Sequence, residues 1–366
     1  MQIVNIEAVP LRIPLDRPAT FSTRTVRHRD YVAVRVHTDA GITGIGYTWY
    51  LHSAPIINFL LKQHLIGEDP FAVERIWWKM YREVYRERKG AAIRSLSAVD
   101  IAIWDIIGKA LKKPLYQILG GYTNKPRCYA SGGYYRPGKG TQDLANEMLE
   151  YVEKGFKAVK LKVGAVSIDE DVARIKAVRD AVGSDIEIMV DANNAYGVKQ
   201  AIKAGRAFEK YDIAWFEEPV WPDDIEGSAK VAAALDVPIA SGELEYTRYG
   251  FKELIERKAV DIIQPDATVC GGVTEWMKIA HMAAAWDIPV AAHAEHEVHM
   301  HLVGAVENGY YVEYFHKETD ITKEMFLFKQ HFTPIGGLLE IPDKPGLGLE
   351  FDEEALAKYN LRNVLS

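Results

Sequence analysis

The segment KAVKLKVG, residues 157–164, places two lysines one residue apart within a run of apolar residues that favour β-strands. Successive side chains of a strand point to opposite faces, so Lys160 and Lys162 share one face and the apolar residues share the other. An unpaired ammonium group is costly to bury. The segment therefore indicates either a strand with one solvated face or a buried strand whose lysines have acidic partners.

From about residue 126 onward the chain alternates short β-rich runs with charged amphipathic helices. The runs are RCYASGG, AVKLKVG, EIMVDANN, IAWFEEP, PIASGE, DIIQPDAT, PVAAHAE and YYVEYF. Such alternation predicts a parallel sheet, and eight units favour a closed (β/α)₈-type barrel over an open sheet. No GxGxxG motif opens a helix here, which disfavours a dinucleotide-binding fold.

The regions on either side of this alternation differ from it. Residues 1–125 mix alternating strands with helical segments and predict an α+β unit. Residues 321–366 are rich in Gly and Pro, and we expect them to run back and pack against the N-terminal unit. The predicted division is therefore 1–125, 126–320 as the barrel, and 321–366.

Composition excludes several classes of protein. The chain of 366 residues has a formal net charge of -7, which argues against a nucleic-acid binder, because such proteins cluster positive charge. Its two cysteines, Cys128 and Cys270, match neither a disulfide framework nor a CxxC site. The N-terminus does not resemble a signal peptide, and no apolar run approaches the roughly 20 residues that span a bilayer. We expect a cytoplasmic protein without a membrane or nucleic-acid partner.

Carboxylates follow three successive strand candidates. Asp191, Glu217 and Glu243 are spaced at intervals of 26 residues, one βα unit each. A barrel would bring them to one mouth, where they repel one another unless a cation neutralises them. Hard oxygen ligands suit Mg²⁺ best, with Mn²⁺ as a substitute. A single acid after a strand is more often a helix N-cap, and Glu243, Asp266 or Glu218 could each be one.

His293 ends the next strand candidate after Asp266. An aspartate bonded to one imidazole nitrogen selects the tautomer and makes the other nitrogen a better base, which suits acid–base catalysis. His296, His299 and His301 follow closely, but they lack HExxH spacing, so a zinc site is disfavoured. Their roles stay open.

Taken together, the motifs resemble the enolase superfamily, in particular its mandelate racemase-like branch. They are KLK at 160–162, DAN at 191–193, FEEP at 216–219, SGE at 241–243, QPDATVCGGVTEW at 264–276, AAH at 291–293 and VEYF at 312–315, with SAVDIAIWDIIGKALKKPLYQILGG in the N-terminal unit. The resemblance implies an α/β fold, a (β/α)₇β-type modified TIM barrel with an N-terminal α+β capping domain. It also implies one Mg²⁺ per subunit, held by Asp191, Glu217 and Glu243.

The resemblance further implies roles for individual side chains. Lys162 would act as base on one face of the substrate, and His293, paired with Asp266, would serve the opposite face. Lys160 would neutralise an oxygen of the substrate carboxylate or assist Lys162, and Glu313 would form a hydrogen bond with the developing enediolate. Asn193 would contact the substrate or a residue that holds it.

The resemblance also implies that two segments of the N-terminal unit, 16–31 and 47–53, form loops over the barrel mouth, where we expect the substrate contacts Thr20, Arg24 and Tyr47. The first segment is polar, which favours a polyhydroxy acid over an aromatic one. We therefore predict a sugar-acid dehydratase that forms a 2-keto-3-deoxy acid from an aldonate or aldarate.

Three other functions stay open at this point. With Lys162 and His293 as opposed bases, the protein would be a racemase or epimerase of a 2-hydroxy acid. A protein that only binds an acid sugar needs no opposed bases, and Schiff-base chemistry at Lys162 needs no metal. By analogy with such barrels we also expect a homo-oligomer, from dimer to octamer.

Overall fold

The computed structural model describes residues 1–316 and 319–361. The N-terminal unit opens with an antiparallel sheet of β1 (Ile3–Thr20), β2 (Thr25–Thr38) and β3 (Thr43–Thr48), in that order. Its helices are α1 (Ser53–Pro55), α2 (Lys62–Leu65), α3 (Val73–Val84), α4 (Ala91–Leu111) and α5 (Leu115–Leu119), with a π-helical stretch at Ile56–Leu61 and a 3₁₀ turn at Tyr85–Glu87.

Alternation along β2 divides its side chains between two cores. Val32, Val34 and Val36 pack with the apolar residues of α3 and α4. Tyr31 and Ala33, which point to the opposite face, join the larger core of the barrel. The sheet is thus buried on both sides and joins the two units.

Two glycines of β3 allow this sheet to lie directly against α4. A Cβ atom at Gly44 would lie 2.0 Å from the carbonyl oxygen of Ala102, and one at Gly46 would lie 2.1 Å from that of Ala98. Both separations are far inside van der Waals contact. The β3 sequence TGIGYT therefore permits a backbone approach that any larger residue would prevent.

The second unit is a closed barrel of eight parallel strands, in which the last strand pairs with the first. Its strands are β4 (Cys128–Ser131), β5 (Ala158–Lys162), β6 (Glu187–Asp191), β7 (Ile213–Glu217), β8 (Ile239–Ser241), β9 (Ile262–Ile263), β10 (Val290–Ala292) and β11 (Gly309–Phe315). The helices between them are α6 (Thr141–Glu153), α7 (Ile168–Val182), α8 (Val198–Phe208), α9 (Ile225–Ala234), α10 (Thr247–Glu256), α11 (Gly272–Ala284) and α12 (His296–Val303). A 3₁₀ turn at Glu209–Tyr211 follows α8. The predicted (β/α)₇β barrel with an N-terminal α+β unit is confirmed.

The lysine strand is buried on both faces. Val159 and Leu161 pack in the core under the surrounding helices, whereas Lys160 and Lys162 point inward and are 1% and 4% exposed. Of the two possibilities that the sequence left open, the structure has the buried strand. Both ammonium groups therefore need acidic partners inside the barrel.

The C-terminal segment crosses from the barrel to the N-terminal unit. It contains a 3₁₀ turn at Glu324–Leu327 and α13 (Glu353–Tyr359). The amide of Cys128 donates to the carbonyl of Gly337 at 2.9 Å, and the amide of Leu115 donates to the carbonyl of Gly346 at 2.8 Å. Residues 362–366 of the predicted segment lie outside the described residues. Within the described part of the chain, no helix has the length and apolar character that crossing a bilayer requires.

Candidate active site

Three carboxylates meet at the carboxyl ends of the barrel strands. Asp191 ends β6, Glu217 ends β7, and Glu243 lies two residues after the end of β8. Their nearest ligand atoms all lie within 4.8 Å of one another. The register pairs Asp191 with Glu217, so parallel pairing by itself brings these two side chains to the same depth.

These three residues, called here the acidic triad, fit a Mg²⁺ ion. All the donors are hard carboxylate oxygens, and in an octahedron of Mg–O bonds of about 2.1 Å neighbouring oxygens lie about 3 Å apart. The triad and Glu313 meet two buried lysines, which leaves two negative charges uncompensated. That excess equals the charge of one divalent cation, so both ligand type and local charge suit Mg²⁺.

Each of the two lysines lies against its own acidic partner. The Nζ of Lys162 donates to Oδ2 of Asp191. The Nζ of Lys160 lies 2.6 Å from Oε1 of Glu217 and 2.9 Å from Oε1 of Glu313. Lys160 therefore sits deeper, in a closed ionic cluster, while Lys162 alone of the pair lines the cavity.

These contacts shift the pKa values of the lysines. Burial by itself lowers the pKa of Lys162, but the attraction of Asp191 and the neighbouring acidic groups outweighs it and raises the pKa above its ordinary value. The same balance, with Glu217 and then Glu313 as the main partners, raises the pKa of Lys160. Both side chains therefore carry a positive charge while these carboxylates are free of a metal.

The His293 side chain is bonded to Asp266. Its Nδ1 is 3.0 Å from Oδ2 of Asp266, and its Nε2 is 3.4 Å from Oε2 of Glu243. Burial lowers the pKa of His293, but Glu243 and Asp266 together raise it to about 9. The arrangement leaves Nε2 on the side of the acidic triad, where it can exchange a proton with a bound molecule.

Glu313 connects the lysine cluster to the His293 turn. One of its oxygens pairs with Lys160, and the other accepts a hydrogen bond from the amide of Ala294 at 2.9 Å. Burial raises the pKa of Glu313, but Lys160 and then His293 lower it to about 2. Glu313 is therefore a carboxylate, which accepts hydrogen bonds and can bond to an enediol only if the enediol supplies the proton.

A cavity of about 360 Å³ opens over these groups. Among the predicted site residues, Lys162, Asn193, Glu243, His293 and Glu313 line it, as does Arg24 from the N-terminal unit. Asn193 is held by its amide, which donates to Oδ1 of Asp191 at 2.8 Å. The structure thus brings residues from five barrel strands and from the N-terminal unit around one space.

Two predicted substrate contacts lie elsewhere. Tyr47 is 1% exposed and packs edge-on against Phe328 at a ring-centroid distance of 5.3 Å, because its position on β3 turns it into the barrel core. The hydroxyl of Thr20 lies 2.8 Å from that of Thr25, across the β1–β2 hairpin. Neither of these two residues lines the cavity.

The segment expected as a polar loop at 16–31 is mostly strand, and only residues 21–24 lie between β1 and β2. This short turn reaches the barrel: Ser22 donates to the carbonyl of Val163. The cavity residues that sequence reasoning missed include several aromatic ones, which are Phe21, Tyr31, Trp49, Tyr134, Trp221 and Phe315. Successive side chains near the hairpin tip point to opposite sides, so the polar composition of the segment did not reveal which of them face the cavity.

Glu218 is a further missed residue. It is 1% exposed, has a φ of 41°, and accepts a hydrogen bond from Nδ2 of Asn194 at 3.0 Å. Burial first, and then the carboxylate of Glu243, raise the pKa of Glu218 well above its ordinary range. The doubled acid of FEEP was the signal for it.

The other three histidines of the AAHAEHEVHMH stretch are buried on α12. The Nε2 of His299 accepts from the amide of Ala267 at 2.9 Å, and its Nδ1 donates to the carbonyl of Ala294 at 2.8 Å. His301 donates from Nε2 to the carbonyl of Leu347. Within the described residues they form no metal cluster, because only the ligand atoms of the acidic triad lie close enough together to hold one ion.

Comparison with known proteins gives the family. Residues 3–120 match the family model for the mandelate racemase / muconate lactonizing enzyme N-terminal domain. Residues 143–355 match the model for an enolase C-terminal domain-like unit. The two matches together cover most of the chain.

Individual relatives align over nearly the whole length. An arabinonate dehydratase of Saccharolobus solfataricus is 38% identical over 91% of both chains. A 3,6-anhydro-α-L-galactonate cycloisomerase of Streptomyces coelicolor is 33% identical, covering 95% of this chain and 96% of that protein. The crystal structure of a racemase from Streptomyces coelicolor with bound magnesium superposes with a TM-score of 0.91 at 31% identity, covering 98% of this chain and 99% of the other. The chain therefore belongs to the mandelate racemase / muconate lactonizing enzyme family of the enolase superfamily.

Proposed function

We propose that this protein is a Mg²⁺-dependent sugar-acid dehydratase. The observation that carries the proposal is the presence of Lys162 and the His293–Asp266 pair at one cavity, beside three clustered carboxylates. Strands β5 and β10 are three strands apart one way around the barrel and five the other. A substrate at the centre would therefore meet the two groups from nearly opposite sides.

The acidic triad is the proposed Mg²⁺ site. Bound there, the ion would hold the substrate carboxylate and stabilise the negative charge that develops when the α-proton leaves. Proton transfer to a side chain contributes typically about 10²–10⁴-fold, too little for so weak a carbon acid, so charge stabilisation is required.

Lys162 is the proposed base. It starts as the ion-pair partner of Asp191, and a cation at that carboxylate would weaken the pairing and favour the neutral amine. Neutral Lys162 removes the α-proton, while Lys160, held by Glu217 and Glu313, keeps its positive charge nearby.

His293 is the proposed acid. A proton on Nε2 passes to the departing β-hydroxyl, which leaves as water, and the resulting enol becomes a 2-keto-3-deoxy acid. Asp266 holds the opposite ring nitrogen and stabilises the imidazole in both protonation states. The amide of Asn193, the carboxyl of Glu218 and the guanidinium of Arg24 offer hydrogen bonds to further hydroxyls.

Elimination is preferred over racemisation on two grounds. The cavity offers charged and amide groups beyond those that the α-carbon needs, and the 38% identical relative is named an arabinonate dehydratase. Racemisation of a 2-hydroxy acid is the second candidate, because the same two residues could act as opposed bases and a superposable structure is named a racemase.

The test is a screen of aldonic and aldaric acids with 2-ketoacid detection, with Mg²⁺ and with EDTA. We expect ketoacid from at least one sugar acid with Mg²⁺ and none with EDTA. Full activity in a metal-free sample would contradict the metal role. Exchange of the α-proton of a simple 2-hydroxy acid, with no ketoacid from any sugar acid, would favour the racemase.

A further inference from the structure

A chain of hydrogen bonds runs from the N-terminal unit to the candidate acid. The Nε1 of Trp49 donates to Oγ1 of Thr268 at 3.0 Å, and that hydroxyl donates to Oδ1 of Asp266 at 2.7 Å. The other oxygen of Asp266, Oδ2, lies 3.0 Å from Nδ1 of His293. Trp49 belongs to the N-terminal unit and the other three residues belong to the barrel.

The chemistry of the donors sets the direction of each bond. An indole N–H can only donate, so the oxygen of Thr268 accepts from it and keeps its single proton for Asp266. The amide of Thr268 donates to the same Oδ1 at 2.7 Å. Two donors thus occupy Oδ1, which leaves Oδ2 as the acceptor for His293 and holds a proton on Nδ1.

Two further contacts join the N-terminal unit to the barrel near this chain. The ring of Trp49 lies against that of His293 with a centroid distance of 5.7 Å and an interplanar angle of 32°. The hydroxyl of Thr48 donates to the carbonyl of Thr268 at 2.9 Å. Both threonine side chains are fully buried.

We infer that Thr268 and Trp49 are positioning residues that orient the His293–Asp266 pair, and that the pair is fully oriented only when the N-terminal unit is docked on the barrel. The inference rests on the proposed role of His293. It assigns the 47–53 segment a role beyond contact with substrate, because the indole N–H of Trp49 completes the chain of hydrogen bonds that orients His293.

Replacement of Thr268 is the direct test, in the Mg²⁺-loaded enzyme. Thr268→Val keeps the side-chain shape but removes the hydroxyl, and we expect kcat to fall about 10- to 100-fold, the range for partners that orient a reactive group, with KM within about twofold. Thr268→Ser restores the hydroxyl and should recover kcat to within a fewfold. Equal losses in both variants would overturn the inference.

Thr48→Val is the matched control. It removes a buried hydrogen bond between the same two units but leaves the hydroxyl of Thr268 in place. We expect lower thermal stability with kcat unchanged. A fall of kcat as large as that of Thr268→Val would mean that docking alone, and not the hydroxyl, explains the effect.

A double-mutant cycle tests whether Trp49 acts through Thr268. Trp49→Phe keeps an aromatic ring but removes the donor. Because Trp49 also lines the cavity and its replacement can change substrate binding, the cycle compares kcat values. Residues that act as one chain give a double variant close to Thr268→Val alone. A loss equal to the product of the two single losses would contradict the chain.

A spectroscopic readout separates this inference from the proposed function. In protein labelled with nitrogen-15 histidine, the Nδ1–H of His293 should give a downfield proton signal that is absent from His293→Asn. We expect the signal to move upfield or vanish in Thr268→Val and to persist in Thr48→Val. If no sugar acid is turned over, the proposed function fails. An unchanged signal in Thr268→Val would instead overturn the inference that Thr268 orients the His293–Asp266 pair.

Discussion

Lys162 and Asp191 are register partners on neighbouring strands, and the Nζ of Lys162 donates to Oδ2 of Asp191. The same carboxylate belongs to the acidic triad, so a metal ion and the lysine compete for it. In the proposed mechanism, ion binding and the activation of Lys162 as base are therefore linked at a single side chain. This link predicts that α-proton abstraction requires the metal.

The first prediction separates the two proton carriers. In D₂O with Mg²⁺ and a sugar acid that is a substrate, Lys162→Ala should lose both α-proton exchange and ketoacid formation by about 10²-fold or more. His293→Asn should lose ketoacid formation but retain exchange, because the base is intact. Proton NMR follows the exchange and a ketoacid assay follows the product.

Lys176→Ala serves as the control, since Lys176 is an exposed lysine that pairs with Asp180 on the surface. It should behave like the parent protein. Turnover retained in both Lys162→Ala and His293→Asn would exclude the proposed mechanism, and borohydride trapping at Lys162 without metal would indicate Schiff-base chemistry.

The second prediction concerns the metal site. Asp191→Asn replaces a carboxylate ligand by a weaker neutral one and should reduce Mg²⁺ affinity by about 10-fold or more, measured by calorimetric titration. Asp169→Asn, at an exposed acid, is the control and should leave the affinity unchanged. Equal affinities in the two variants would place the ion elsewhere.

The third prediction concerns the contact between the N-terminal unit and the C-terminal segment. Buried Asp105 accepts hydrogen bonds from the amides of Ile45 and Leu347, both at 2.9 Å, and from Nζ of Lys109 at 2.5 Å. An amide in its place would set an N–H group against one of these donors. Asp105→Asn should therefore lower the free energy of unfolding by about 2–4 kcal/mol, measured by urea denaturation.

Asp180→Asn is the matched control, because Asp180 pairs with Lys176 on the surface and is 62% exposed. Its effect should stay within about 0.5 kcal/mol. A similar small change for Asp105→Asn would show that its three donors find other acceptors.

The fourth prediction concerns pH. Burial lowers the pKa of His301 to about 4, partly offset by the hydrogen bond to the Leu347 carbonyl. In the unfolded chain His301 has its ordinary pKa near 6.5. Between about pH 4 and pH 6.5 the unfolded state therefore holds more protons than the folded state, and the free energy of unfolding falls as pH falls. Stability from this group is complete above about pH 6.5 and decreases down to about pH 4.

Urea denaturation at pH 7.5 and pH 5.0 measures this effect. The effect acts over the roughly 1.5 pH units between pH 6.5 and pH 5.0, at about 1.4 kcal/mol per unit. The free energy of unfolding of the parent protein should therefore fall by about 2 kcal/mol more than that of His301→Gln, whose side chain at this position does not titrate. An equal pH dependence in the parent and His301→Gln would contradict the assignment.

Much of the barrel was predictable because its signals are local and periodic. All eight strand candidates are strands, since short β-rich runs followed by amphipathic helices have few other ways to bury their apolar faces. The acidic residues at strand ends, such as Asp191 and Glu217, indicated the mouth of the barrel because they recur once per βα unit. Parallel register converts regular spacing in sequence into proximity in space.

The substrate-facing side of the cavity was less predictable. Thr20 and Tyr47 were expected there and lie elsewhere, whereas Phe21, Arg29 and Trp49 line the cavity. The hairpin tip at 21–24 and the residues after β3 reach the mouth only through contacts with another unit, such as that of Ser22 with Val163. No local period encodes which side of such a turn faces inward.

By itself the sequence determined the barrel, the acidic triad, the two lysines on one strand face and the His293–Asp266 spacing, because each depends on alternation within a strand or on the length of one βα unit. Only the tertiary structure decided that both lysines are buried against carboxylates, and that Trp49 reaches Asp266 through Thr268. The lysine–carboxylate contacts join different barrel strands and form only when the barrel assembles, whereas the contact of Trp49 with Thr268 forms only when the N-terminal unit packs against the barrel.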